Sequence, residues 1–257
     1  MLSRRIREHA ADLNWLGVVI DFVIVVIGVF LGMQVNDWNQ ARLDRRQAQE
    51  NRAMLVQDLD ANQQNLAMRK HYYQWVHSEG MKTLIELGKP ASELGEQFLI
   101  DAYQGSQAQP WNLKRNAYDQ IVAAGQFGQI GDADLREEIG NYYVGSEVTG
   151  ANLALIPPYR ETLRRAMPYP VQQQIRSLCG ETIGEDKHGQ VVMGLPGDCH
   201  LKLDPATVRD AVRQVHDMPD VRLDLNRQLV DLDQKLISVD VIARRAAKLQ
   251  QALNLTK

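Results

Sequence analysis

Residues 15 to 35 form a single apolar run, WLGVVIDFVIVVIGVFLGMQV, broken only by the carboxylate of Asp21. At about 1.5 Å of rise per residue, a helix from Trp15 to Trp38 covers roughly 34 Å, enough to cross the hydrocarbon core with an indole near each interface. In lipid a lone segment must satisfy its own backbone, so this run is expected to be a transmembrane helix. It is longer than the apolar part of a usual secretory signal. Gly32-Met33-Gln34-Val35-Asn36 is a poor cleavage site, so the run reads as an uncleaved anchor.

The remaining residues, about 220, are enough for a substantial helical domain. A near-balance of 29 basic against 32 acidic side chains argues against a nucleic-acid surface. Only four phenylalanines, and few alternating β-branched runs outside the span, argue against a β-rich fold. From Asn36 to Leu87 there is no proline, and Gly80 is the sole glycine. Leu55, Leu59, Leu66, Tyr73 and Val76 fall at helical spacing. This predicts a long helix continuous with the anchor, ended by Gly88-Lys89-Pro90.

Shorter helices are expected over 92–103 with Ser92 as cap, over 112–124 ending at Gly125, over 132–143 capped by Asp132, and over 148–166, kinked or split at Pro157-Pro158. Pro168, Pro170 and the segment between the cysteines are expected to be the least regular part. Asp204-Pro205 opens a helix to about His216, and Pro219 opens the last one, to about Leu253. In that final helix Leu225, Leu232, Val239, Ala246 and Leu253 recur every seven residues. Leu229, Leu236 and Ala243 hold the companion position, which Gln250 interrupts. The seam packs either against the long membrane-proximal helix of the same chain or against a second chain. Similar lengths, and the intrusion of Asn62 and Arg69 in the first helix, favour the former.

The expected fold is thus mostly α: a single transmembrane helix continuing into a long helix, paired antiparallel with a long C-terminal helix, with short helices between. Its segments are an amphipathic cytoplasmic stretch at 1–14, the span at 15–35, the long helix at 36–90, short helices at 91–176, a disulfide loop at 177–203 and C-terminal helices at 204–257.

Cys179 and Cys199 bracket a loop of about 20 residues, the pattern of a disulfide formed in an oxidising compartment. Arg4, Arg5 and Arg7 before the span nearly balance Arg42, Arg45, Arg46 and Arg52 after it, so flanking charge leaves the orientation open. The cysteines decide it: N-terminus in the cytoplasm and main domain outside, which in a bacterium means the periplasm. The expected partners are the lipid bilayer and, through the span, a second copy or another membrane protein.

Within the span, Gly17, Asp21, Ile24, Gly28 and Gly32 share one helix face, small residues around an acid. A carboxylate so placed is expected to meet another helix or to reach toward the nearer interface. The stretch from Ile20 to Asn39 resembles the anchor of a family of uncharacterised bacterial single-span membrane proteins, which reads I-D-x-x-I-V-V-x-G-V-x-x-G-x-Q-V-x-x-W-N. Residues 118–130, followed by Leu135 and Tyr142-Tyr143, resemble a looser pattern of the same family. The resemblance implies the topology and a helical domain, and brings no activity with it.

No catalytic, cofactor or metal site is expected. Glu185-x-x-His188 is half of a di-iron motif, but it lies in a loop between glycines. His71 and His77 are six apart, and no nucleophile elbow, zincin or phosphate-loop motif occurs. Tyr72, Tyr73 and Trp75 form the densest aromatic group. They read first as core and second as a pocket shared with Trp111. The function expected is that of a non-enzymatic anchored scaffold, oligomeric or partner-binding. An extracytoplasmic ligand-sensing module is the alternative, and an enzyme the least favoured.

Overall fold

The computed structural model describes residues 15–109, 112–185 and 191–255. The amphipathic stretch expected at 1–14 lies outside them. The chain divides after Asn51 into two compact units.

The first unit belongs to the opening helix, α1, Trp15–Glu86, 72 residues long. It holds the one helix stretch, among the described residues, long and apolar enough to cross a membrane. Val18, Phe22, Ile24, Phe30 and Val35 are all exposed there, a contiguous apolar surface of the kind that marks an interaction site. Beyond the apolar stretch the helix is held by local pairs. Gln40 donates to Asp44 at 2.9 Å, Arg46 to Glu50 at 3.1 Å, and the Arg42 guanidinium lies 5.9 Å from the Trp38 ring centre.

The second unit is built on an antiparallel pair, the C-terminal part of α1 and the last helix, α8, Val221–Leu255. Their register is set by cross-helix contacts that retreat along α8 as they advance along α1. Gln63 donates to Gln250 at 2.7 Å, Lys70 meets Asp240 at 2.9 Å, and His77 lies 3.4 Å from Asp233. The heptad seam is therefore packed within the chain. Leu225, Leu232, Val239, Ala246 and Leu253 are all buried, and so are Gln228, Ile242 and Leu249, a further column that the seven-residue pattern alone did not single out. The wider buried face follows from α8 also receiving helices α4 and α5 (below).

Between the long helices lie α2, Glu96–Gly105; α3, Asn116–Ala123; α4, Ala133–Leu153; α5, Pro158–Ala166; α6, Tyr169–Leu178; and α7, Pro205–His216. Several expected boundaries move. Ser92 falls in a short 3-10 turn, Ala91–Glu93, and does not cap α2. α3 starts only at Asn116, because Asn62 holds the preceding extended residues: its side chain accepts from the Lys114 N–H at 2.7 Å and donates to the Lys114 carbonyl at 2.8 Å. Asp58 then takes the Ala117 N–H at 2.9 Å, supplying from α1 the cap that Arg115 lacks. α4 begins as expected, with Asp132 accepting from the Leu135 N–H at 2.9 Å, but it runs through Val148 to Leu153. The chain breaks at Pro157, so the helix expected over 148–166 is split.

The segment after Pro168 is more regular than its prolines led us to expect. Pro170 stands in the first turn of α6, where its missing N–H costs nothing. Between the cysteines, β1, Thr182–Glu185, pairs antiparallel with β2, Val191–Gly194, with Thr182 opposite Gly194. Asp204 caps α7 by accepting from Ala206 and Thr207 at 3.0 Å each. A turn at Asp220, with φ of 67°, lets α8 begin at Val221, two residues after Pro219.

Two cores lie along the helix pair. One joins Leu55, Leu59, Leu66 and Tyr73 to Ile121, Ile139, Tyr143 and the C-terminal half of α8. The other joins Phe98, Leu99 and Tyr103 to Tyr159, Leu163, Val171, Ile175, Val212 and the start of α8.

Candidate functional site

In the first unit, the backbone of α1 carries Gly17, Asp21, Gly28 and Gly32 within an arc of roughly 60° on an ideal helix. A Cβ built on Gly28 or Gly32 would meet nothing within 4 Å, so these glycines are not demanded by packing inside the chain.

In the second unit, Cys179 and Cys199 form a disulfide with a Cα separation of 5.5 Å. It ties the segment after β2 to the end of α6, and the start of α2 grips the same segment. Glu96 accepts from the Leu201 N–H at 3.0 Å and lies 2.9 Å from His200 Nδ1, while Gln104 donates to the Cys179 carbonyl. These contacts wall a cleft of about 440 Å³, lined by Trp75, Glu79, Lys82, Gln97, Gln104 and His200. Lys82 Nζ lies 2.8 Å from Glu79 Oε1. Asp101, buried behind the cleft, accepts from Gln97; burial, joined by the neighbouring Glu79, raises its carboxyl to about 6. Glu86 is raised to about 7, again by burial first and then by the charge of Asp101.

The four aromatic candidates part company. Tyr72 and Tyr73 are buried, in edge contact at 5.6 Å, and belong to the first core. Trp75, 6.0 Å from Tyr72, is partly buried and lines the cleft. Trp111 lies outside the described residues, as does His188 of the half motif. No group of three or more potential metal ligands occurs among the described residues.

The structure adds polar groups that the sequence reading passed over. Asp101 is the acid inside FLIDAY, an otherwise unbroken apolar stretch of α2, and that interruption was a readable signal. Arg160 and Arg164, one turn apart on α5, both turn inward to Gln107, at 2.8 Å and 3.4 Å. Nothing in the local pattern of YRETLRRA marks these two rather than Arg165 as the inward pair.

Compared with protein-family models, with curated proteins and with solved structures, the chain matches none.

Proposed function

We propose that this chain is a non-enzymatic, single-pass protein of the bacterial inner membrane, N-terminus in the cytoplasm. Its spanning helix contacts a second copy or another membrane protein, and its periplasmic domain acts as a scaffold. The observation that carries this reading is the face formed by Gly17, Asp21, Gly28 and Gly32, an acid among small residues against which the chain packs nothing of its own at Gly28 or Gly32. A carboxylate facing lipid at that depth costs about 2.5–3.5 kcal/mol on insertion scales. A neighbouring helix that donates a hydrogen bond offsets this, and glycines let two backbones approach closely. The disulfide supports an oxidising location for the domain, and the resemblance of residues 20–39 to a bacterial anchor supports the topology.

The test is the mass of the detergent-solubilised full chain by light scattering. Asp21→Leu, Gly28→Leu and Gly32→Leu are expected to disperse the assembly, while Val26→Leu, on the opposite side of the helix, leaves it intact. Equal masses for all four variants would sink the interface. Alkylation of intact cells with and without reductant tests the location, since freely reactive Cys179 and Cys199 would reverse it.

A second reading, an extracytoplasmic ligand-sensing module coupled through the span to another protein, is favoured by the cleft lined by Trp75, Gln104 and His200.

A further inference from the structure

The geometry points to an oxyanion site at Arg160, Arg164, Gln107 and Tyr72, taking the carboxylate of a small organic acid. It goes beyond the membrane-face reading and supplies a ligand class to the sensing reading, on which it rests only for what binding would signal.

Two arginines sit at successive turns of one face of α5, and their like charges are brought together rather than apart. Arg160 Nη1 donates to Gln107 Oε1 at 2.8 Å and to the Ser106 carbonyl at 3.2 Å. Arg164 Nη2 reaches the same Gln107 oxygen at 3.4 Å, and its guanidinium stacks 4.5 Å from the centre of the Tyr103 ring. Both arginines are partly buried, and neither has a carboxylate in ion-pair reach among the described residues. A folded protein seldom buries two unpaired cations together unless something neutralises them.

A second observation is independent of the charges. The Tyr72 hydroxyl, on a side chain 3% exposed, has no hydrogen-bond partner, and neither does the buried Nε of Arg164. Tyr72 packs 6.0 Å from Trp75, which lines one cleft with Gln104, and Gln104 accepts from Gln107, the residue that both arginines reach. Buried donors are almost always satisfied, and two left open beside a cation pair ask for an acceptor.

The ligand class follows from the donor shapes. A guanidinium edge with a free Nε–H matches the two oxygens of a carboxylate. The Tyr103 ring against the Arg164 guanidinium suits a short apolar remainder.

Calorimetric titration of the full chain in detergent with sodium acetate and sodium benzoate tests this. Saturable binding is expected, weakened at least tenfold in Tyr72→Phe and in Arg164→Lys, each with an unliganded melting midpoint close to that of the parent. Tyr72→Phe removes only an unpaired hydroxyl, so it is the variant least exposed to a folding artefact. The site is overturned if neither acid binds saturably, if both variants bind as the parent does, or if sodium chloride at equal ionic strength gives the same heat. Stronger binding of inorganic phosphate would overturn the carboxylate assignment. Unchanged oligomer mass in the Asp21→Leu experiment bears on the membrane face alone and leaves this titration as it stands.

Discussion

A Cβ on Gly105 would stand 2.8 Å from the Cα of Gly80, closer than any side chain tolerates, so α2 crosses α1 glycine to glycine. A Cβ on Gly80 would in turn stand 3.1 Å from Leu229 Cδ2 of α8, so three helices converge at this glycine. The single glycine in fifty residues of long helix is thus a packing device, accepted despite its helix cost of about 1 kcal/mol. Gly105→Ala must push backbone against backbone, and overpacking of this kind costs about 1–3 kcal/mol. Gly128→Ala, where a Cβ meets nothing within 4 Å, is expected to change the midpoint of urea unfolding far less.

Asn62 occupies a seam position of α1, 1% exposed, and looks from sequence like a flaw in an apolar column. Its amide instead holds both backbone groups of Lys114 and donates to the Tyr142 hydroxyl at 3.1 Å. Asn62→Leu matches the seam but orphans those groups. The Tyr142 hydroxyl is buried and the Lys114 bonds are partly so; an unsatisfied buried group costs about 1–3 kcal/mol, so the variant is expected to be less stable than the parent despite its greater hydrophobicity. Faster amide exchange at Lys114 and in the first turn of α3, relative to α7, would locate the loss. A variant more stable than the parent would show that the amide is only tolerated.

How much of this was legible follows from what each signal depends on. The antiparallel pair could be read because apolar spacing in Leu55, Leu59, Leu66 and in Leu225, Leu232, Val239 is a property of one helix at a time. Asp132 and Asp204 announced their helices because a cap acts within three residues. The start of α3 was misplaced because its cap, Asp58, comes from 59 residues away. α6 and the β-hairpin went unread because turn-forming residues dominate their sequences, although a proline in the first turn is itself a start signal. The inward arginines depend on Gln107, more than fifty residues upstream, and no local pattern carries that.

Stability should depend on pH through Asp101 and Glu86. In the unfolded chain both carboxyls titrate at about 4; in the fold burial raises them to about 6 and about 7. Between these values the folded protein holds protons the unfolded chain has released. Stability therefore falls as pH rises from about 4 through about 7, and is flat beyond. Asp101→Asn with Glu86→Gln removes both protons from the balance. The double variant is expected to gain most over the parent above about pH 7 and to lose that advantage towards about pH 4. Thermal midpoints of both proteins across that window check the sign; a gap that is constant with pH would mean that neither group titrates as described.

The disulfide should matter more to one core than to the other. Cys179 is buried among Tyr159, Leu163 and Val212, while Cys199 carries the segment that Glu96 grips through Leu201 and His200. Opening a loop with a sequence separation of 20 frees the unfolded chain, worth about 3 kcal/mol in the chain-entropy model. For a domain of this size that corresponds to a fall in melting midpoint of about 6–12 °C. The Cys179→Ser, Cys199→Ser double variant and the reduced parent should show it alike. Amide exchange should then rise in α2 and α6 well before it rises in α3 and α4, which pack in the other core. Equal acceleration in all four helices would mean that the two cores unfold together. A melt insensitive to reductant would mean that the contacts of Glu96 to Leu201 and of Gln174 to Lys202 hold the segment without the bond.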